Sequence, residues 1–326
     1  MVKLIPISYG NKKYPNGIVP KIREIPAHFD REIDRKIITL NSEYSLHTEY
    51  SYAPRKFICS ACKDLSEIKV TDGRGVPKLW FNDAWVEDFI RFISQFISKF
   101  IADKKPPRII EIHPPFNDYC KNLLQFIELY KYFEKEMSSR YHEMEILIEN
   151  RYGSQYSGGK FILSTVDNLK ELTKLIKEHN LKLRIALDFP QLFSAHHLDI
   201  RKFSKDRMLE ILKQLCPVRE YIASIHLWGK CLGKNGRINV HKGTLDSYFK
   251  GLSCEDISAN NVITLNSYAG VDASKEDNPV KGHFLRELHN LLSDGKVRYF
   301  LPEVNSEPEH LQSIVRDLID SGFKFI

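Results

Sequence analysis

The chain has 326 residues, of which 42% are hydrophobic and 11% aromatic, enough to bury one large core in a single domain spanning 1–326. Its formal net charge of +6 is a mild basic excess that suits a polyanionic partner without requiring one. No stretch approaches the roughly 18 apolar residues of a membrane span, and MVKLIPISYG lacks a charged leader followed by a long apolar run. This argues against a membrane partner and predicts a soluble, cytoplasmic protein.

In chain order, β-like segments fall at 3–8, 45–52, 108–113, 145–149, 183–188, 221–227, 261–265 and 297–303. Helical patterns lie between them. In AWVEDFIRFISQFISKFIAD the Phe, Ile and Val positions recur at three- and four-residue steps, TVDNLKELTKLIKEHNL offers Thr165 as an N-cap, and PEHLQSIVRDLIDSG closes the chain. Strand and helix alternation predicts a (β/α)8 TIM barrel. Two longer stretches, 10–40 and 241–290, carry many Lys, Asn, Gly and Pro residues and are expected as rim insertions, the second as an active-site lid. Cys59, Cys62, Cys120, Cys216, Cys231 and Cys254 are spread through a long chain and read as reduced thiols. The lone CxxC at Cys59 and Cys62 has no second pair to complete a zinc site.

Five candidate metal ligands stand at or just after the end of apolar runs. They are His113 in RIIEIHPPF, Glu149 in MEILIEN, Asp188 in LRIALDF, His226 in YIASIHLWG and Glu303 in VRYFLPEVN. In a (β/α)8 barrel such positions converge on one site. Imidazole nitrogen and carboxylate oxygen together suit zinc, manganese or iron. A carboxylate ending a buried strand is costly unless it is metal-bound or paired with an Arg or Lys at the barrel mouth.

These residues resemble the xylose isomerase-like TIM barrels, in particular the endonuclease IV (AP endonuclease family 2) branch, over roughly residues 45–320. SLHTEYSY offers His47 with Tyr50 as a strand-end His and Tyr, EIHPPF matches a second His, and ILIENRYGS matches a bridging glutamate. IALDFPQLFSAH, IHLWGK and LPEVN match the aspartate, the His-Leu pair and the late glutamate. The resemblance implies one ion on His47, His113 and Glu149 and a second on Glu149, Asp188, His226 and Glu303. His241 matches a ligand of a third ion. That third site is weakened, because Gln191 stands where the family usually has His, and Asn239 replaces the acid of an Asp-x-His pair ending at His241. His196 and His197 read as a polar helix start at the rim.

The resemblance implies a divalent-metal-dependent hydrolase, a phosphodiesterase or endonuclease with DNA or another phosphate-bearing substrate, in which Glu149 and Glu303 are catalytic. Arg151, Lys230 and Lys242, with Tyr50, would bind substrate. Arg55, Lys56, Lys234 and Arg237, with Tyr52, Tyr152, Tyr156 and Trp228, would line the rim for a nucleic-acid backbone and an exposed base. The alternative is a sugar or sugar-phosphate isomerase or epimerase with a single metal on Glu149, Asp188, His226 and Glu303. A binding subunit without turnover is a third reading, supported only by Gln191 and Asn239.

Overall fold

The apolar runs fold as strands covered on both faces, as parallel strands under helices must be. All four residues of Ile109–Ile112 are buried, and Glu145–Glu149 and Arg184–Asp188 are buried after their first residue. The computed structural model describes residues 1–326 except 11, 16, 28–41, 49–68, 74, 155–158, 199, 202 and 258–277. In chain order the strands are β1 (Val2–Ser8), β2 (Ile22–Ala27), β3 (Glu43–Thr48), β4 (Ile109–Ile112), β5 (Glu145–Glu149), β6 (Arg184–Asp188), β7 (Ile222–His226), β8 (Lys230–Leu232), β9 (Ile238–Val240), β10 (Val297–Leu301) and β11 (Phe323–Phe325). The order β10-β7-β6-β5-β4-β3-β2-β1, with β10 also paired to β1, gives the eight-stranded (β/α)8 TIM barrel. β11 adds beside β1, and β8 and β9 form a separate antiparallel pair.

The chain gathers into two compact units. The first, Lys21–His196 with Glu220–Ser224, holds β2 to β6 and helices α1 (Asp83–Phe100), α2 (Leu123–Arg140), α3 (Val166–Glu178) and α4 (Phe189–Ala195). The Asn82 side chain starts α1 by accepting from the Trp85 N–H at 3.0 Å. The helix then buries Trp85 and Phe89, which pack with Trp80 against Phe126, Tyr130 and Phe133. Ring centroids are 4.9 Å apart for Trp80 and Phe126 and 5.3 Å for Phe89 and Phe133. Thr165 opens α3 in a capping box with Asn168, so the residue expected to cap it does so.

The second unit, Met1–Pro20, His197–Arg219 and Ile225–Ile326, holds β1, β8 to β11 and helices α5 (Lys205–Gln214), α6 (Leu245–Lys250), α7 (Pro279–Leu291) and α8 (Pro308–Asp320). Lys281 of α7 donates to Asp246 of α6 at 2.6 Å and to Asp317 of α8 at 2.8 Å, tying three helices through one partly buried ammonium.

Several expectations need correcting. β2 lies inside 10–40, so part of that stretch is barrel wall rather than rim. The segment 241–290 contains α6 and most of α7, with 258–277 outside the described residues. The strand expected at 45–52 is Glu43–Thr48, with 49–52 outside the described residues, as are the segment 261–265 and Cys59 and Cys62. Cys231 and Cys254 are disulfide-bonded rather than reduced, with Cα atoms 5.1 Å apart. Among the described residues no helix is long and apolar enough to cross a membrane.

Candidate metal centre

Parallel registry sets the first group of ligands. His47 of β3 pairs with Glu111 of β4, Glu111 with Leu147 of β5, and Glu149 with Ala186 of β6, so the ends of four neighbouring strands come into line. His113 follows Glu111 by two positions and keeps its face. His47, Glu111, His113 and Glu149, all buried, each offer a ligand atom within 4.8 Å of the others. Two imidazoles and two carboxylates form a donor set that fits zinc, manganese or iron, and four buried polar groups at this spacing fit an ion better than an apolar lining would.

The surrounding contacts hold these groups in place. His113 Nε2 is 2.8 Å from Glu149 Oε2, and Arg151 donates to the same oxygen at 2.9 Å. The Trp80 indole donates to the His113 carbonyl at 2.8 Å, so the aromatic layer between α1 and α2 anchors the backbone of a site residue. His47 Nδ1 is 3.0 Å from Glu24 of β2 and 3.4 Å from Glu111, and its ring centroid is 4.9 Å from that of His113. Burial lowers the His113 pKa from its ordinary value, outweighing the upward pull of Glu149 and favouring the neutral, metal-binding imidazole.

Asp188 is fully buried at the end of β6, where its side chain caps α4. Its Oδ1 accepts from the Gln191 N–H at 2.8 Å, and its backbone N–H donates to Asn150 at 2.8 Å. The Gln191 side chain donates to Asp188 Oδ2 at 2.8 Å and also to Glu149 Oε1. His196 accepts from the Val166 N–H at 3.1 Å, a structural role at the start of α3.

In the second unit His226, fully buried, has Nδ1 3.4 Å from Glu303 Oε1. His241 Nδ1 lies 2.8 Å from the Glu303 carbonyl oxygen and 3.6 Å from its Oε2, and the ring stacks on Trp228 at 4.0 Å. This grouping requires Gly229, because a Cβ there would lie 2.4 Å from the Gly243 backbone. Lys230 is buried, with its ammonium 4.8 Å from the Tyr248 ring centroid and 5.4 Å from that of Trp228, while Lys242 is exposed.

The structure therefore assembles His47, His113 and Glu149 in one unit, with Asp188 held near Glu149 through Gln191, and His226, His241 and Glu303 in the other. Arg151 is buried and turned onto Glu149 rather than presented to solvent. Lys234 pairs with Glu255 at 3.1 Å. Tyr50, Tyr52, Arg55, Lys56 and Tyr156 lie outside the described residues. Glu111 and Glu24 were missed. Period-two alternation back from His113 would have marked Glu111; Glu24 had no such signal, because its strand was not recognised.

No protein-family model matches the chain, and comparison with curated proteins finds no match. Among solved structures the chain is similar to a xylose isomerase domain protein from Planctomyces limnophilus, at 13% identity, 86% of this chain, 87% of that chain and a TM-score of 0.40. It is also similar to an AP endonuclease, family 2, from Brucella melitensis, at 10% identity, 95% and 97% coverage and a TM-score of 0.43. A GH53 catalytic domain from Ignisphaera aggregans matches at 12% identity over 80% of this chain and 62% of that one, with a TM-score of 0.39.

Proposed function

We propose that this protein is a divalent-metal-dependent hydrolase of phosphodiesters, with DNA as the leading substrate class. The observation that carries the reading is the buried set His47, Glu111, His113 and Glu149. A single-ion sugar isomerase does not call on His47 and His113 as ligands, whereas a phosphodiesterase of the resembled kind does. When bound, divalent ions supply Lewis acidity to a phosphoryl group and favour ionisation of an attacking water. The protein's own part is to hold the ligands. His113 stays neutral through burial, Arg151 balances the charge on Glu149, and the aromatic layer around Trp80 fixes the His113 backbone.

In this reading Glu149 and Asp188 would serve as further ligands in the one unit and His226 and Glu303 in the other, and Glu303 would orient the attacking water. Lys242, which is exposed, would contact the substrate, as Tyr50 is expected to, whereas the buried Lys230 would have to leave the Tyr248 and Trp228 rings to do so. One observation favours sugar isomerisation: the Arg151 guanidinium is engaged by Glu149 instead of being offered to a phosphate.

Metal-loaded protein should cleave DNA carrying an abasic site, and Glu149→Gln should lower that rate by about 10²- to 10³-fold, the scale on which loss of a principal electrostatic group acts. Gel analysis of end-labelled duplexes, run beside assays on aldose and ketose substrates, decides the matter. Sugar turnover without strand cleavage would overturn the hydrolase reading.

A further inference from the structure

Gln191 stands at the third position of α4, after the Asp188 N-cap. In a capping box the side chain at this position reaches back to the backbone N–H of the cap. Here that N–H is already donated to Asn150 at 2.8 Å, and the Gln191 amide turns instead to two carboxylates. Its nitrogen is 2.8 Å from Asp188 Oδ2 and within hydrogen-bonding reach of Glu149 Oε1. Glu149 and Asp188 are fully buried and Gln191 is 1% exposed. The two carboxylates fix the orientation of the amide, since turning it over would set a carbonyl oxygen against two anionic oxygens. Its own Oε1 is consequently buried with no hydrogen-bond partner among the described residues.

We propose that Gln191 is a positioning residue. Its two N–H donors clamp Glu149 and Asp188, hold their carboxylates in the orientation that presents them to a metal ion, and occupy the place between Glu149 Oε1 and Asp188 Oδ2 that a further cation would need. The proposal rests on the metal-centre reading above and adds a residue which that ligand set does not include. An amide serves because it donates twice without adding charge. An imidazole on the same Cα could coordinate an ion but could not offer two N–H groups from one nitrogen. The clamp also joins the metal centre to the first turn of α4, since Asp188 receives both the backbone and the side-chain N–H of Gln191.

The test is cobalt(II) binding to metal-free full-length protein, followed by the visible absorption of the bound ion. Gln191→Met keeps the side-chain length and removes the donors; Gln191→Asn keeps the amide and withdraws it by one methylene. Both variants should bind cobalt at least tenfold more weakly, the usual cost of losing an outer partner of a ligand, and should shift the absorption bands. A purely structural glutamine would alter thermal stability and leave the spectrum unchanged. In wild-type protein, NMR should show both side-chain amide hydrogens of Gln191 slow to exchange with solvent, a readout that does not depend on the variants folding. Cobalt bound with unchanged affinity and spectrum in both variants, or rapid exchange of that amide, overturns the clamp. No cobalt bound by wild type, with the amide still protected, overturns the metal reading and leaves the clamp between the carboxylates standing.

Discussion

At the scale of single residues, the centre was legible where a polar side chain interrupts the end of an apolar run. His113, Glu149 and Asp188 stand out in RIIEIHPPF, MEILIEN and LRIALDF because a polar or charged group ending a buried strand is costly unless it is metal-bound or paired. Glu111 was hidden by its flanking isoleucines, and only the structure shows that it shares a site with His47 at 3.4 Å. Glu111→Gln keeps the shape and removes the charge, so zinc affinity should fall about 10- to 100-fold while the fold persists. Calorimetric titration of metal-free protein checks this, and unchanged affinity would place Glu111 outside the ligand set. The histidines make a second prediction. Burial lowers the His113 pKa, so on acidification the unfolded chain takes up its proton at the ordinary value of about 6.5, before the folded state does. That contribution to stability is intact above about pH 6.5 and is lost progressively below it. The urea midpoint of metal-free protein should therefore drop between pH 7.5 and 5.5, and the drop should be smaller in His113→Gln.

At the scale of elements, strands with long apolar runs and helices with clean periodicity were recognisable, and the capped start of α3 at Thr165 was read correctly. β2 was not. IREIPA carries Arg, Glu and Pro within six residues, so its buried positions Ile22, Ile25 and Ala27 make no run, and only pairing with β3 from Ile22 to Ala27 makes it a barrel strand. Helices α6 and α7 escaped notice because polar residues surround them, although Thr244 and Asn278 cap their starts. The disulfide was invisible for a different reason, since cysteines 23 residues apart in a long chain carry no pairing signal. Closing a loop of that size stabilises a fold by about 3 kcal/mol. Peptide mapping without reductant should recover Cys231 joined to Cys254, and Cys254→Ser should lower the urea midpoint accordingly. Full alkylation of both thiols in unreduced, denatured protein would contradict the bond.

At the scale of the whole molecule, the rhythm of strand and helix was enough to read the barrel, because eight parallel strands need crossover helices and leave that alternation in the chain. Chemistry is less legible than architecture, since one barrel supports many reactions. What narrows it here is a pair of imidazoles and a pair of carboxylates brought together by the registry of β3, β4 and β5. The most direct test is the metal content per chain of gently purified protein, measured by elemental analysis for wild type, His47→Ala and His113→Ala. The metal-centre account predicts about two equivalents in wild type and the loss of about one in each variant. A wild-type protein that holds no divalent metal after zinc or manganese is supplied, or variants that keep the full complement, would contradict it.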